Sequence, residues 1–125
     1  MTPFRLIQTT LTPSGFRAMM STDKDSVIYK AHFPNGPITP GACLIQAVCD
    51  LMESQLGRKL LLREIKNVKF LSVIIPDGLG DILFDVQQAE DPDDPQSVDV
   101  KVAVSKADAV CARMSLVFKS NSLAV

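Results

Sequence analysis

The sequence has few of the histidine and cysteine side chains that metal-binding and redox proteins use. Its 125 residues include one histidine and three cysteines, and it has no tryptophan. Cys43, Cys49 and Cys111 lack the spacing of zinc ligands, and a single histidine argues against a mixed His/Cys metal site. We therefore expect no metal and no cofactor. The cysteines lie in apolar segments, and we interpret them as reduced and structural, which is typical of a cytosolic protein.

Charge and hydropathy exclude two further classes of protein. The formal net charge is -1, and no apolar run is long enough to span a bilayer. The first residues, MTPFRLIQTT, lack the cationic start and the apolar stretch of a signal peptide. We expect a cytoplasmic protein with neither a membrane nor a nucleic acid as partner. The basic residues are scattered along the chain and form no block: Lys59, Arg63, Lys66, Lys69, Lys101, Lys106 and Arg113.

One helix is strongly indicated within what we expect to be a single domain, residues 1–125. Thr39 is a suitable N-cap, and Pro40 suits the first turn, where its missing N–H has no cost. Gly57 is a natural stop. The sequence between them is mostly apolar, so we predict a helix over about residues 40–56 that is almost entirely buried.

The rest of the chain reads as strands joined by turns. One long apolar helix among several strands predicts an α+β protein with an antiparallel sheet wrapped around the helix. Turns are predicted at residues 12–15, 23–25 and 76–78, and the acidic, proline-rich residues 87–97 as a loop. Residues 71–75 continue or bend the strand before them. The predicted strands are residues 4–10, 16–21, 27–29, 64–70, 82–86, 98–104 and 110–118.

The most informative stretch is HFPNGPITPG, residues 32–41, which runs directly into the helix. It places the only histidine, His32, in a turn stiffened by three prolines. Free N–H groups at a helix start favour an oxygen that acquires negative charge, and Gly41 provides one. A rigid turn that holds a titratable group beside such donors suits acid–base chemistry on a carbonyl compound. The alternatives are a histidine that only bonds a neighbouring loop and a glycine that only allows close packing.

These segments resemble the hot-dog-fold 3-hydroxyacyl-[acyl-carrier-protein] dehydratases. That family has a His-Phe-Pro turn and then Pro and Pro-Gly before a helix. This chain has His32-Phe33-Pro34 and then Pro37-Ile38-Thr39-Pro40-Gly41. The later segment NVKFLSVIIPDGL resembles the family's strand and turn, with Pro76-Asp77-Gly78 where the family usually has Pro-Gly-Asp.

The resemblance implies a fold, a reaction and an assembly. The fold is the hot-dog, a curved antiparallel sheet around one central helix. The reaction converts a 3-hydroxyacyl thioester on acyl carrier protein to the trans-2-enoyl thioester, in fatty-acid or related acyl-chain biosynthesis. The assembly is a homodimer or larger homo-oligomer with sites between subunits. His32 is then the base, the Gly41 N–H polarises the thioester carbonyl, and Phe33, Pro40 and Gly41 contact the substrate.

One departure from the family pattern lies on the helix. The family carries an acid five residues after the Pro-Gly glycine, where this chain has Gln46, and often a glutamine one turn later, where this chain has Asp50. Both fall on one helix face. Asp50 is therefore a candidate acid and Gln46 a candidate for orienting water or a hydroxyl. Alternatively, with Glu53 they form only the polar face of an amphipathic helix. A hot-dog acyl thioesterase and an inactive acyl-binding subunit of a hetero-oligomeric dehydratase remain open as alternative functions.

Overall fold

The structure is a computed structural model, and it describes residues 2–31, 36–76 and 81–120. Within these ranges the chain forms six strands and two helices. The elements in chain order are β1 (Phe4–Thr12), β2 (Gly15–Thr22), α1 (Val27–Ala31), α2 (Gly41–Leu56), β3 (Leu60–Phe70), β4 (Ile82–Asp91), β5 (Asp94–Lys106) and β6 (Ala109–Ser120).

The strands form one antiparallel sheet in the order β1-β2-β4-β5-β6-β3. Its inner face and one side of α2 bury their apolar side chains together in a single core, which includes Leu44, Val48 and Met52 of the helix with Phe84 and Phe118 of the sheet. Burial of this apolar surface drives the helix onto the sheet. The predicted α+β hot-dog architecture, a curved sheet around one long helix, is confirmed.

The predicted helix is confirmed, but its start and its burial differ from expectation. Helix α2 begins at Gly41 with Pro40 as N-cap, and no side chain caps it, so the prediction of Thr39 as N-cap is wrong. The stop is confirmed, since Gly57 adopts the left-handed conformation (φ 66°) and its N–H donates to the Glu53 carbonyl oxygen at 2.9 Å. One side of the helix is exposed, so the expectation of nearly complete burial is wrong. That side carries Ala42, Gln46, Asp50 and Ser54.

The predicted strand over residues 27–29 is wrong, because these residues belong to the short helix α1. Local hydrogen bonds explain the difference. The Ser26 hydroxyl accepts from the Ile28 N–H at 3.2 Å, and the Ser26 carbonyl oxygen accepts from the Tyr29 N–H at 3.1 Å. A serine that satisfies the first N–H groups of a turn outweighs the β preference of Val27 and Ile28.

The predicted loop over residues 87–97 is also wrong, since strands β4 and β5 extend through most of it. The hairpin turn occupies only the two residues between Asp91 and Asp94. Asp91 Oδ1 accepts from the Asp93 N–H at 2.9 Å and Asp94 Oδ1 from the Gln96 N–H at 3.1 Å, which stabilises this tight turn. The polar composition reflects the end of a hairpin at which residues 87–90 of β4 are all exposed, beyond the alternating burial over the core.

The other predicted strands lie within observed ones, often with longer ends. Residues 71–75 contain no regular strand, and the Leu71 and Ser72 N–H groups both donate to the Cys111 carbonyl oxygen (2.8 and 3.2 Å). The regular strand therefore ends at Phe70, while these bonds keep the start of the following segment beside β6. The predicted turn at 76–78 lies largely outside the described residues. Within the described ranges, no helix has the length and apolar character needed to cross a membrane.

Candidate active site

The start of helix α2 opens into a cavity of about 380 Å³. Pro40 has no N–H, and the Cys43 N–H donates back to the Pro40 carbonyl oxygen at 3.0 Å. The Gly41 N–H belongs to the first turn, where backbone donors have no acceptor within the helix. Both predicted substrate-binding residues of the described ranges, Pro40 and Gly41, line this cavity. The lining is mainly apolar and also includes Ile38, Thr39, Leu44, Phe70, Leu71, Ser72, Val73 and Ile74.

Gly41 lies directly under the ring of Phe70, the last residue of β3. A Cβ atom on Gly41 would lie 2.4 Å from Phe70 Cζ and 2.9 Å from Cε1 and Cε2. Glycine at this position therefore lets the ring sit against the helix backbone. The Phe70 side chain is nevertheless 54% exposed, so it forms a wall of the cavity and does not fill the core.

His32 and Phe33 lie outside the described residues, but the segments on either side of them are held together. The Tyr29 hydroxyl and Thr39 Oγ1 are 2.7 Å apart in a buried hydrogen bond. The Thr39 N–H donates to the Ile74 carbonyl oxygen at 2.8 Å. Burial raises the pKa of Tyr29, so its hydroxyl stays protonated near neutral pH. Helix α1 is thus joined to the residues that precede α2.

Gln46 and Asp50 are bonded to each other and do not line the cavity. Gln46 Nε2 donates to Asp50 Oδ1 at 3.0 Å, one helical turn away, on the exposed side of α2. The amide and the acid, which stand in exchanged positions relative to the family pattern, are therefore hydrogen-bonded to each other. Their catalytic roles stay predictions, as does that of His32.

The cysteines are poor candidates for nucleophiles. All three are free. Burial, with Asp50 and Glu53 nearby, raises the pKa of Cys49 to about 11, and burial also raises the pKa of Cys43. Since the thiolate is the reactive form, the thiols of Cys43 and Cys49 are unreactive near neutral pH. Among the residues that the structure describes, no group of three or more metal-ligating side chains is placed to hold a metal ion.

Sequence reasoning missed the bond between Tyr29 and Thr39 and the contact between Phe70 and Gly41. The first had a weak signal, because Tyr29 is the only tyrosine and lies in an apolar run just before His32. The second had none, since Phe70 and Gly41 belong to different elements and meet only through the path of β3 beside the helix start.

A family model described as ApeI-like, the ApeI dehydratase, matches residues 9–113. The chain therefore belongs to the ApeI-like dehydratase family. A curated relative is the 3-hydroxyacyl-[acyl-carrier-protein] dehydratase FabZ of Clostridium acetobutylicum, with 33% identity over 63 residues. That alignment covers 45% of this chain and 43% of the relative, less than half of each.

Solved structures share the fold at low sequence identity. The dehydratase heterocomplex ApeI:P from Xenorhabdus doucetiae contains a chain similar to this one with a TM-score of 0.72, 18% identity, and coverage of 95% of this chain and 99% of that chain. An uncharacterized protein from Erwinia carotovora subsp. atroseptica gives a TM-score of 0.71 at 16% identity, with 94% and 97% covered. A hypothetical thioesterase with coenzyme A from Streptococcus pneumoniae gives 0.63 at 8%, with 94% and 85% covered.

Proposed function

We propose that this protein dehydrates a 3-hydroxyacyl thioester carried on acyl carrier protein and releases the trans-2-enoyl thioester. The observation that carries the proposal is the Gly41 helix start, which lines an apolar cavity directly after the His32 segment in a chain of a dehydratase family. Apolar walls suit an acyl chain. The carrier-bound substrate is proposed from the name of the curated relative.

In the proposed mechanism, the N–H at the start of α2 stabilises negative charge on the substrate. The thioester carbonyl oxygen accepts the Gly41 N–H, which stabilises the negative charge that develops when the C2 proton leaves. His32 takes that proton as general base. The C3–O bond then breaks, the hydroxyl leaves as water after gaining one proton, and the electron pair from C2 forms the double bond. The acid is protonated His32, or it is Asp50 acting through a water that Gln46 orients, since this pair lies on the exposed side of α2 and outside the cavity.

The test supplies purified protein with 3-hydroxyacyl thioesters of several chain lengths on acyl carrier protein and follows the enoyl product. We expect turnover, and we expect His32→Ala to abolish it while circular dichroism stays unchanged. Release of free thiol without enoyl product would instead identify a thioesterase, because dehydration leaves the thioester intact. Absence of both reactions at every chain length would remove the proposal.

We also propose a homodimer that pairs along β3. This strand is at the sheet edge, and it exposes Leu61 (54%) and Ile65 (49%). Unpaired edge groups beside exposed apolar side chains favour strand pairing with a second copy. Light scattering at micromolar concentration should give the mass of a dimer, and Ile65→Lys should shift it toward the monomer. An unchanged dimer in the Ile65→Lys variant would exclude this edge.

A second candidate is a subunit of a hetero-oligomeric dehydratase. Two observations favour it: Gln46 stands where the family carries an acid, and a structure similar to this chain is described as a dehydratase heterocomplex. In that case the chain is inactive alone and gains activity with a second hot-dog chain. Activity of the isolated homodimer would rule this candidate out.

A further inference from the structure

A second concave surface lies on the outer side of the sheet, away from α2. It measures about 350 Å³ and runs across strands β3, β4, β5 and β6. We call it the outer groove. Polar side chains line it on all four strands, namely Asn67, Asp85, Gln87, Lys101, Arg113 and Ser115, and Val102, Ala103 and Met114 add apolar surface. Nothing in the proposed dehydration uses this surface.

The strand register gathers basic residues that are far apart in sequence. Lys69 of β3 pairs directly with Arg113 of β6, and Lys101 of β5 pairs with Ser115, two residues from Arg113. Directly opposed side chains share one face of a sheet, and like charges opposite each other are destabilising. The scattered basic residues of the sequence thus form a cluster of three cations, on a chain whose net charge is -1.

The neighbouring carboxylates do not neutralise this cluster. Asp85 accepts from Arg17 Nε at 3.3 Å, and Asp99 accepts from Lys66 Nζ at 3.2 Å. In the part of the chain that the structure describes, no carboxylate lies within ion-pair distance of Lys69, Lys101 or Arg113. The groove therefore presents unneutralised positive charge beside the uncharged donors Asn67 and Ser115.

We propose that the outer groove binds a phosphate-bearing ligand, held by Arg113 and Lys101 with Asn67 and Ser115 as hydrogen-bond donors. A guanidinium presents paired N–H groups that match phosphate oxygens, and an ammonium adds a point charge. An anion there relieves the repulsion between Lys69 and Arg113. A concave site with hydroxyl and amide donors favours a compact oxyanion over the broad acidic face of a protein. This proposal is independent of the proposed dehydratase activity.

The test titrates inorganic pyrophosphate into the full-length protein by calorimetry at low ionic strength, where surface charges are least screened. We expect saturable binding of one pyrophosphate per chain. Arg113→Gln should weaken it by about tenfold or more, because hydrogen bonds between charged partners are the strong ones. Arg58→Gln removes the same charge from an exposed residue just after α2, and it should leave the affinity unchanged.

Three results would overturn the proposal: no saturation, equal weakening by Arg58→Gln, or tighter binding of a glutamate-rich peptide than of pyrophosphate through Arg113. The last would identify an acidic protein partner instead. Parallel titrations with ADP and with phosphatidylglycerol vesicles distinguish a nucleotide from a lipid headgroup as the source of the phosphate. Circular dichroism of each variant checks that a loss of binding does not result from unfolding.

Discussion

Tyr29 and Thr39 are joined by a 2.7 Å hydrogen bond between their hydroxyl oxygens, and both side chains are buried. The two residues stand ten apart in sequence, and His32 lies between them. Thr39 in turn donates its N–H to Ile74, at the wall of the cavity. Two hydrogen bonds that meet at Thr39 therefore connect α1, the residues before α2 and the segment after β3.

We expect Tyr29→Phe to destabilise the protein by about 1–3 kcal/mol, because it leaves the buried Thr39 hydroxyl without its partner. The free energy of unfolding in urea measures this. Thr39→Val should have a similar effect, and the double variant should cost less than the sum of the two single variants. Fully additive effects would mean that the two hydroxyl groups do not stabilise the fold through each other.

The same variant tests whether the bond positions the proposed base. If it does, Tyr29→Phe lowers kcat more than it changes KM, and Thr39→Ser, which keeps the hydroxyl, retains most of the activity. If the bond only stabilises the fold, the folded fraction of the Tyr29→Phe variant should have a normal kcat. The pH profile of kcat/KM adds a second readout, since a displaced histidine titrates in a different environment.

Gly41→Ala should impair turnover because its new methyl group would lie 2.4 Å from Phe70 Cζ. Phe70 is half-exposed, so the ring can swing away. We therefore expect a small change in stability but a loss of about tenfold to 100-fold in kcat/KM, since displacement of groups at a site by an ångström is costly. Phe70→Leu, with its smaller side chain, should recover part of the loss in the double variant. No recovery would show that the defect does not arise from the ring.

The sequence predicted the elements whose signals are local. Helix α2 has a proline start, a glycine stop and a continuous apolar face, and it was found to within a residue. The errors occurred where hydrogen bonds outweigh composition. Ser26 turns the β-branched start of α1 into a helix, and cross-strand pairing extends β4 and β5 through a segment that composition assigned to a loop.

The candidate site was only partly predictable for a similar reason. Pro40 and Gly41 lie within one motif, so their meeting at the cavity follows from chain order. Phe70 and Ile74 reach the same cavity because β3 runs along the sheet edge past the helix start. No pattern within either segment encodes that approach, since it depends on the order of the strands in the sheet.

Stability should fall as the pH rises above about 9. The pKa of Cys49 is raised to about 11 in the folded protein from an ordinary value of 9.0, chiefly by burial. Between these two values the unfolded chain loses a proton that the folded chain keeps, so the stabilisation present below pH 9 is progressively lost. Urea unfolding under reducing conditions from pH 8 to pH 11 measures the slope. Cys49→Ala should show a shallower slope, and an identical slope would assign the effect to other groups.

The bond between Gln46 Nε2 and Asp50 Oδ1 leads to the last prediction, on the source of the acid. If Asp50 supplies the proton, Asp50→Asn should reduce turnover by about 100-fold or more, the usual size of a general acid–base contribution. If Asp50 is only an exposed helix residue, the change should be less than about threefold. Ser54→Ala, on the same exposed side of α2, is the control and should have no effect.

Gln46→Glu separates the two possibilities further. It restores the family's carboxylate but places it beside Asp50, and two carboxyl groups in contact raise the pKa of one of them. One of the pair then keeps a proton at higher pH, as a general acid requires. We therefore expect Gln46→Glu to retain or increase activity, with the alkaline limb of the kcat profile shifted upward. A variant that folds but loses activity would mean that the amide itself holds the substrate or a water. In that case the proton must come from His32.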